Sequence, residues 1–205
     1  MKLRLNEDII EFTETALQFM ETDISNVFAK KNNKTLKETV RHTRYIKFLN
    51  DVEAKYFKYM DKPLGLGEFL AHVKECGDDF YRRFLNAYGD GKYCKFSLCD
   101  KTVEKLKGMY TFCVDESLMY VGRCRDAFGK RINIGYGRIC AKNCYIDGQV
   151  TNCHLNQLIT KNMKRVRLVY HSSNDDFEIS GIEEALIKAY NPKWNIALKE
   201  KWFFC

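Results

Sequence analysis

Gly108-Met109-Tyr110-Thr111-Phe112-Cys113-Val114, then Leu118-Met119-Tyr120-Val121-Gly122 after a gap of Asp115-Glu116-Ser117, is the stretch on which the fold turns. Both runs are rich in β-branched and aromatic residues, which suit a pleated, half-buried surface. The short polar gap between them reads as a hairpin turn. Downstream, a helix is expected from about Ala127 through Ile132, and it carries Arg131. Val166-Arg167-Leu168-Val169-Tyr170 reads as a third strand. Ile182 to Ala189 reads as a second helix, ended by Asn191-Pro192 because proline cannot continue it. This order predicts an α+β domain over residues 101–205, a small mixed three-stranded sheet with flanking helices, interrupted by an insert at 135–163.

Upstream, residues 1–100 predict an all-helical region, serving DNA binding or dimerisation. Ile9, Ile10, Phe12, Thr13, Ala16, Leu17 and Met20 approximate a helical stripe. Thr35-Leu36-Lys37-Glu38 has the form of a capping box. After it, Tyr45, Leu49, Val52, Tyr56 and Tyr59 recur at helical spacing, until Pro63 and Gly65. Gly89-Asp90-Gly91 is the strongest boundary signal. On the expected long helix Lys37, Arg41 and Arg44 fall on one face, with Lys30, Lys31 and Lys34 just upstream. Such a face either follows a DNA backbone or is simply solvated.

A hydrophobic content of 45% and an aromatic content of 14% over 205 residues exclude a disordered chain. No apolar run approaches the roughly 18 to 20 residues of a membrane helix, so no membrane association is expected. The acidic turn at Glu7-Asp8 is unlike a secretory signal, which predicts an intracellular, cytoplasmic, soluble protein. The net charge of +7 is uneven. Residues 1–100 hold 17 Lys and Arg against 16 Asp and Glu, a net of +1; the rest hold 17 against 11, a net of +6. A basic second half favours a polyanionic partner. The nine cysteines (Cys76, Cys94, Cys99, Cys113, Cys124, Cys140, Cys144, Cys153 and Cys205) read mainly as buried thiols of a reducing compartment. A zinc cluster of Cys140, Cys144, Cys153 and His154, or one using Cys94 and Cys99, is the alternative, without the paired C-x-x-C knuckles of a structural site.

The segment from 105 to 198 resembles the GIY-YIG nuclease family. Gly108-Met109-Tyr110 stands for the first motif and Tyr120-Val121-Gly122 for the second. Arg131 follows Tyr120 by eleven residues, where the family has its helix-borne arginine. Ile182-Glu183-Glu184-Ala185-Leu186-Ile187-Lys188-Ala189-Tyr190-Asn191-Pro192-Lys193-Trp194-Asn195 resembles the closing motif, and its spacing selects Glu183, twelve residues before Asn195. There are departures. Cys124 stands where the family often has Ser or Thr, and Gly135 stands one helical turn after Arg131, where some restriction-type members have histidine.

The resemblance implies a metal-dependent endonuclease acting on DNA. Glu183 would hold Mg²⁺ or Mn²⁺, hard ions that keep several waters. Arg131 would fork onto the scissile phosphate. Tyr110 would accept the proton of the attacking water, provided nearby cations lower a phenol of ordinary pKa about 10. Tyr120 would orient that water or contact phosphate, and Asn195 would hold the site together. The segment Gly135–Asn156 is dense in amides and basic residues. With its flanks it supplies Arg123, Lys130, Arg138, Lys142, Asn143, Gln149 and Asn152 as DNA-contact candidates, beside Lys37, Arg41 and Arg44. A polar loop stapled to the core by its cysteines is the alternative for that segment. Restriction-type cleavage of duplex DNA is the leading expectation, and two cuts by a one-site chain favour a homodimer. A DNA-binding module that keeps the fold without cutting, and a nuclease toxin or effector, are the alternatives.

Overall fold

Threonine and β-branched residues crowd the first two dozen positions, and they form strands. The computed structural model describes residues 1–30 and 34–196; Lys31 and Cys205 lie outside the described residues. β1 (Lys2–Leu5) and β2 (Asp8–Glu11) make an antiparallel hairpin. Asn6 turns it at φ 56°, a left-handed backbone that asparagine tolerates. β3 (Thr13–Thr15) and β4 (Leu17–Ile24) follow. The expected helical stripe fails because burial does not follow it: Ile10 and Phe12 are buried, yet Ile9 is 61% and Met20 49% exposed. The all-helical expectation for residues 1–100 is therefore corrected, since short runs of Ile and Thr pack on a pleat more readily than around a helix.

Three helices come next: α1 (Leu36–Val40), α2 (Leu49–Met60) and α3 (Leu66–Glu75). Thr35 and Glu38 form the capping box, each side chain bonding the other's backbone N–H. A 3₁₀ turn at Ile46–Phe48 interrupts the long helix expected through this region. Lys37 thus lies on α1, Arg41 ends it and Arg44 sits in the turn beyond, so the three do not share one helical face.

β5 (Tyr93–Leu98) pairs with β4. Then come β6 (Gly108–Val114), β7 (Ser117–Cys124), a π-helix (Gly129–Tyr136), α4 (Ala141–Cys144), α5 (Val150–Lys161), β8 (Val166–Ser172) and α6 (Asp176–Tyr190). The expected polar insert is mostly helical, because Cys153, Leu155 and Ile159 are buried among its polar residues. Among the described residues the main sheet has the order β3-β8-β6-β7, and its β3–β8, β8–β6 and β6–β7 pairings are antiparallel. The sheet is thus four-stranded and antiparallel rather than mixed and three-stranded: Thr13–Thr15 add an edge, and β8 returns antiparallel to β6. β6 is buried at every residue, as a central strand covered on both faces is.

The chain parts into two units, and the division does not fall at residue 100. Among the described residues, one holds 1–22, 94–138 and 158–196; the other holds 23–30, 34–93 and 139–157. The first unit's core joins Met109, Val121 and Val169 of the sheet to Ile179, Leu186 and Ile187 of α6. The second unit's core is built around Phe28, Val40, Val52, Phe69, Leu70 and Phe84. No helix among the described residues is long and apolar enough to cross a membrane.

Candidate active site

Strand pleating sorts the motif residues onto two faces of the sheet. The register pairs Tyr110 with Gly122, Thr111 with Val121, Phe112 with Tyr120 and Met109 with Arg123. Side chains alternate along a strand, so Tyr110, Phe112 and Tyr120 share one face while Met109, Val121 and Arg123 share the face that α6 covers. Both motif glycines are sterically required. Gly108 has φ +138°, and a Cβ there would lie 2.1 Å from the His171 carbonyl oxygen. A Cβ on Gly122 would lie 2.6 Å from the Tyr110 hydroxyl oxygen, so glycine makes the space that the phenol fills.

On the phenol face three hydroxyls converge. The Tyr136 oxygen lies 2.7 Å from that of Tyr110 and 3.3 Å from that of Tyr120. Arg131 donates from Nε to the Tyr110 oxygen at 3.3 Å, and its guanidinium carbon sits 4.8 Å from the Tyr136 ring centre. Tyr136 is the residue that sequence spacing missed. In the π-helix the bonds reach back five residues, as Gly137 N to Ile132 O does at 2.6 Å, so position five after Arg131 rather than position four stacks on the arginine. The usable signal was Ile134-Gly135-Tyr136-Gly137, whose two glycines are unsuited to an ordinary helix. The Asn133 amide anchors this helix, accepting from Leu98 N at 2.8 Å and donating to Glu104 at 2.9 Å.

Tyr110 and Tyr136 are both 0% exposed, and Tyr120 is 7% exposed. Burial pushes the Tyr110 phenol well above its ordinary 10.0; Tyr120 adds to the rise and Arg131 opposes it. Burial, then Tyr110 and Tyr120, do the same to Tyr136. That shift runs against the proton-accepting role expected of Tyr110, since a useful base has a pKa near the working pH. Burial works against the charge on Arg131 too, but the surrounding phenols outweigh it and its pKa is raised.

On the α6 face, Arg123 Nε meets Glu183 Oε2 at 2.7 Å, with the two side chains 31% and 14% exposed. Burial lifts the Glu183 carboxyl above its ordinary 4.5, against the pull of Arg123, Arg131 and Arg125. Three guanidinium groups therefore act on one carboxylate. Arg123 Nη1 is buried without a hydrogen-bond partner among the described residues. No hydrogen bond joins Glu183 to the phenols there; charge alone links it to Arg131. Asn195 is 5% exposed and clamps β7, accepting from Val121 N at 3.0 Å and donating to Val121 O at 2.8 Å.

The DNA-contact candidates divide between the units. In the first, Arg123 is held by Glu183, Lys130 pairs with Asp126 at 2.6 Å, and Arg138 is exposed. In the second, Lys142 and Arg41 are exposed, Lys37 pairs with Asp61 at 2.6 Å, and Arg44 donates to the Asp147 carbonyl at 3.4 Å. The amides serve the fold instead. Asn143 caps α4 by accepting from Cys140 N at 2.9 Å, and Asn152, 3% exposed, donates to Gln149. A buried amide with its partner in place offers little to a groove edge.

Among the described residues no three His, Cys, Asp or Glu side chains are placed to hold a metal ion together. Glu183, the carboxylate expected to hold a cation, has its Oε2 in the ion pair with Arg123 and its other oxygen outside that pair. Compared with protein-family models, curated proteins and solved structures, the chain has no match.

Proposed function

We propose that this chain is a metal-assisted endonuclease of the GIY-YIG kind, hydrolysing phosphodiester bonds in duplex DNA in the manner of a restriction enzyme. The observation that carries the proposal is the excess of guanidinium around Glu183. Arg123, Arg125 and Arg131 act on one carboxylate, and a buried Arg123 N–H has no acceptor. An orphaned charged donor is costly unless an acceptor arrives, and a phosphoryl oxygen supplies both the lone pair and the negative charge.

The phenols give the site direction. A guanidinium can only donate, so the Tyr110 oxygen accepts from Arg131 and its own proton is left for Tyr136. Tyr136 then donates toward Tyr120, the least buried residue of the three. Tyr120, whose oxygen accepts from Tyr136, keeps its own O–H to orient the attacking water, so Tyr120 rather than Tyr110 takes the water-positioning role. Arg131 neutralises charge growing on the phosphoryl group, the largest single contribution in reactions of this type. Mg²⁺ or Mn²⁺ on Glu183 would supply Lewis-acid stabilisation of that same charge. Asn195 keeps the strand bearing Tyr120 in register.

Supercoiled plasmid, incubated with the wild-type chain and with Glu183→Ala in Mg²⁺ and in EDTA, tests the proposal. Discrete fragments from wild type alone, lost in EDTA, are expected. Binding without cleavage across Mg²⁺ and Mn²⁺ would overturn it in favour of a non-catalytic module.

A further inference from the structure

Phe177 is 91% exposed. A lone apolar residue in water is ordinary, but the surroundings of this one are not. Phe177 lies in the first turn of α6, where Asp175 caps the helix by accepting from Phe177 N at 2.9 Å and Glu178 N at 3.0 Å. The ring is thus presented from a fixed backbone. One turn further on, a Cβ at Gly181 would meet nothing within 4 Å, so the helix there shows bare backbone.

Phe177, Ser180, Gly181 and Arg125 line an open groove of about 430 Å³. Its two carboxylates are ion-paired: Asp176 with Lys107 at 3.0 Å and Glu184 with Lys188 at 2.8 Å. Arg125 is exposed and forms no ion pair among the described residues, so the groove has one cation to offer. Arg125 also acts on the Glu183 carboxylate, which places the groove beside the residues proposed to handle the phosphate. A flat aromatic face, a bare helix surface and a free guanidinium match a nucleotide: base on the ring, phosphate on the arginine.

We infer that this groove holds one unstacked nucleobase of the bound DNA strand, lying on the Phe177 ring and over Gly181, with Arg125 on the phosphate of that nucleotide. The inference rests on the proposed function for the course of the strand. It adds a substrate preference: DNA whose bases are already loose near the cut, through a mismatch or a flexible pyrimidine–purine step, is favoured because less unstacking is required.

The test uses DNA strands carrying the fluorescent base 2-aminopurine, titrated with the full chain in EDTA so that no strand is cut. Three probes are used: a single strand, a mismatched duplex and a fully paired duplex. With wild type, fluorescence at one position is expected to rise as the base leaves the neighbours that quench it. Phe177→Ala should abolish that change and weaken binding of the first two probes by about 10-fold, in keeping with alanine substitution at base-stacking aromatics. Phe177→Trp should restore both, and Arg125→Ala should lower affinity without abolishing the fluorescence change.

Equal affinity and equal fluorescence for wild type and Phe177→Ala would overturn the inference, as would absence of binding to every probe. A lower sedimentation mass for Phe177→Ala with unchanged DNA binding would overturn it too, assigning the groove to a second copy of the chain. The two proposals fail separately. Phe177-dependent binding without plasmid cleavage would leave the groove and remove the reaction; normal cleavage by Phe177→Ala with unaltered binding would do the reverse.

Discussion

Tyrosines fill both units, and their partners differ in kind. In the second unit three phenols donate to carboxylates: Tyr45 to Asp147 at 2.6 Å, Tyr81 to Asp90 at 2.6 Å, and Tyr56 to Asp78. Two of those carboxylates also hold a lysine, Lys55 on Asp78 and Lys74 on Asp90, each at 2.6 Å. The result is closed triples of phenol, carboxylate and ammonium. Burial first, and then the carboxylate, pushes Tyr56 and Tyr81 up to about 12. In the first unit Tyr110, Tyr136 and Tyr120 bond one another, and the ion beside them is Arg131. One arrangement carries its own carboxylate, whereas in the other the ion bonded to the phenols is a cation. The same side chain thus serves as a lock or as part of a receptor, according to the sign of its neighbour.

The sharpest way to break this comparison is to remove the cation. Arg131→Ala is expected to cut plasmid cleavage by about 10² to 10³-fold, as loss of a preorganised donor at developing charge does, with a small change in melting temperature. Unchanged cleavage would show that the phenol group is another lock. Next comes a matched pair of deletions. Tyr136→Phe should lower the cleavage rate by about 10-fold or more, in the range of a lost proton-transfer partner. Tyr56→Phe should cost about 1 kcal/mol of stability in urea and leave cleavage untouched. Equal losses of activity in both variants would dissolve the distinction between the units.

A smaller effect concerns pH. The folded Glu183 carboxyl titrates above its ordinary 4.5, so the folded state holds a proton that the unfolded chain has released. Stability should therefore fall as pH rises from about 4.5 through the raised pKa, then level off, and Glu183→Gln should remove that slope from urea titrations. Asp78 behaves in the opposite sense. Lys55, then Tyr56 and Phe80 N, hold it down to about 2, so its contribution is present above 3.8 and is lost as pH falls toward 2. Asp78→Asn should flatten only that acid limb.

Strands β6 and β7, helix α6 and the positions of Tyr110, Tyr120, Arg131, Glu183 and Asn195 on or beside them were legible, because long apolar runs and motif glycines speak locally. The N-terminal strands were not: over so few residues a 3.6-period stripe and a 2-period alternation share most apolar positions. Tyr136 was hidden by the additional residue of a π turn, which no spacing rule anticipates. The Arg123–Glu183 pair joins residues sixty apart in sequence, and only the pleat reveals that they share a face. The insert misled because Cys144, Cys153, Asn152 and Asn156 are among its buried residues, and composition counts such residues as polar or reactive before it counts them as core.

Asn195 has one further consequence. Among the described residues β7 is the edge of its sheet, and an open edge is a template on which another chain can add a strand. Trp194 N bonds Met119 O at 2.8 Å, and the Asn195 carboxamide takes both the N–H and the C=O of Val121. A side chain thus stands in for the neighbouring strand. Losing it would leave the edge that bears Tyr120 open to self-pairing, so a clamp that keeps the site in register also guards the protein against aggregation.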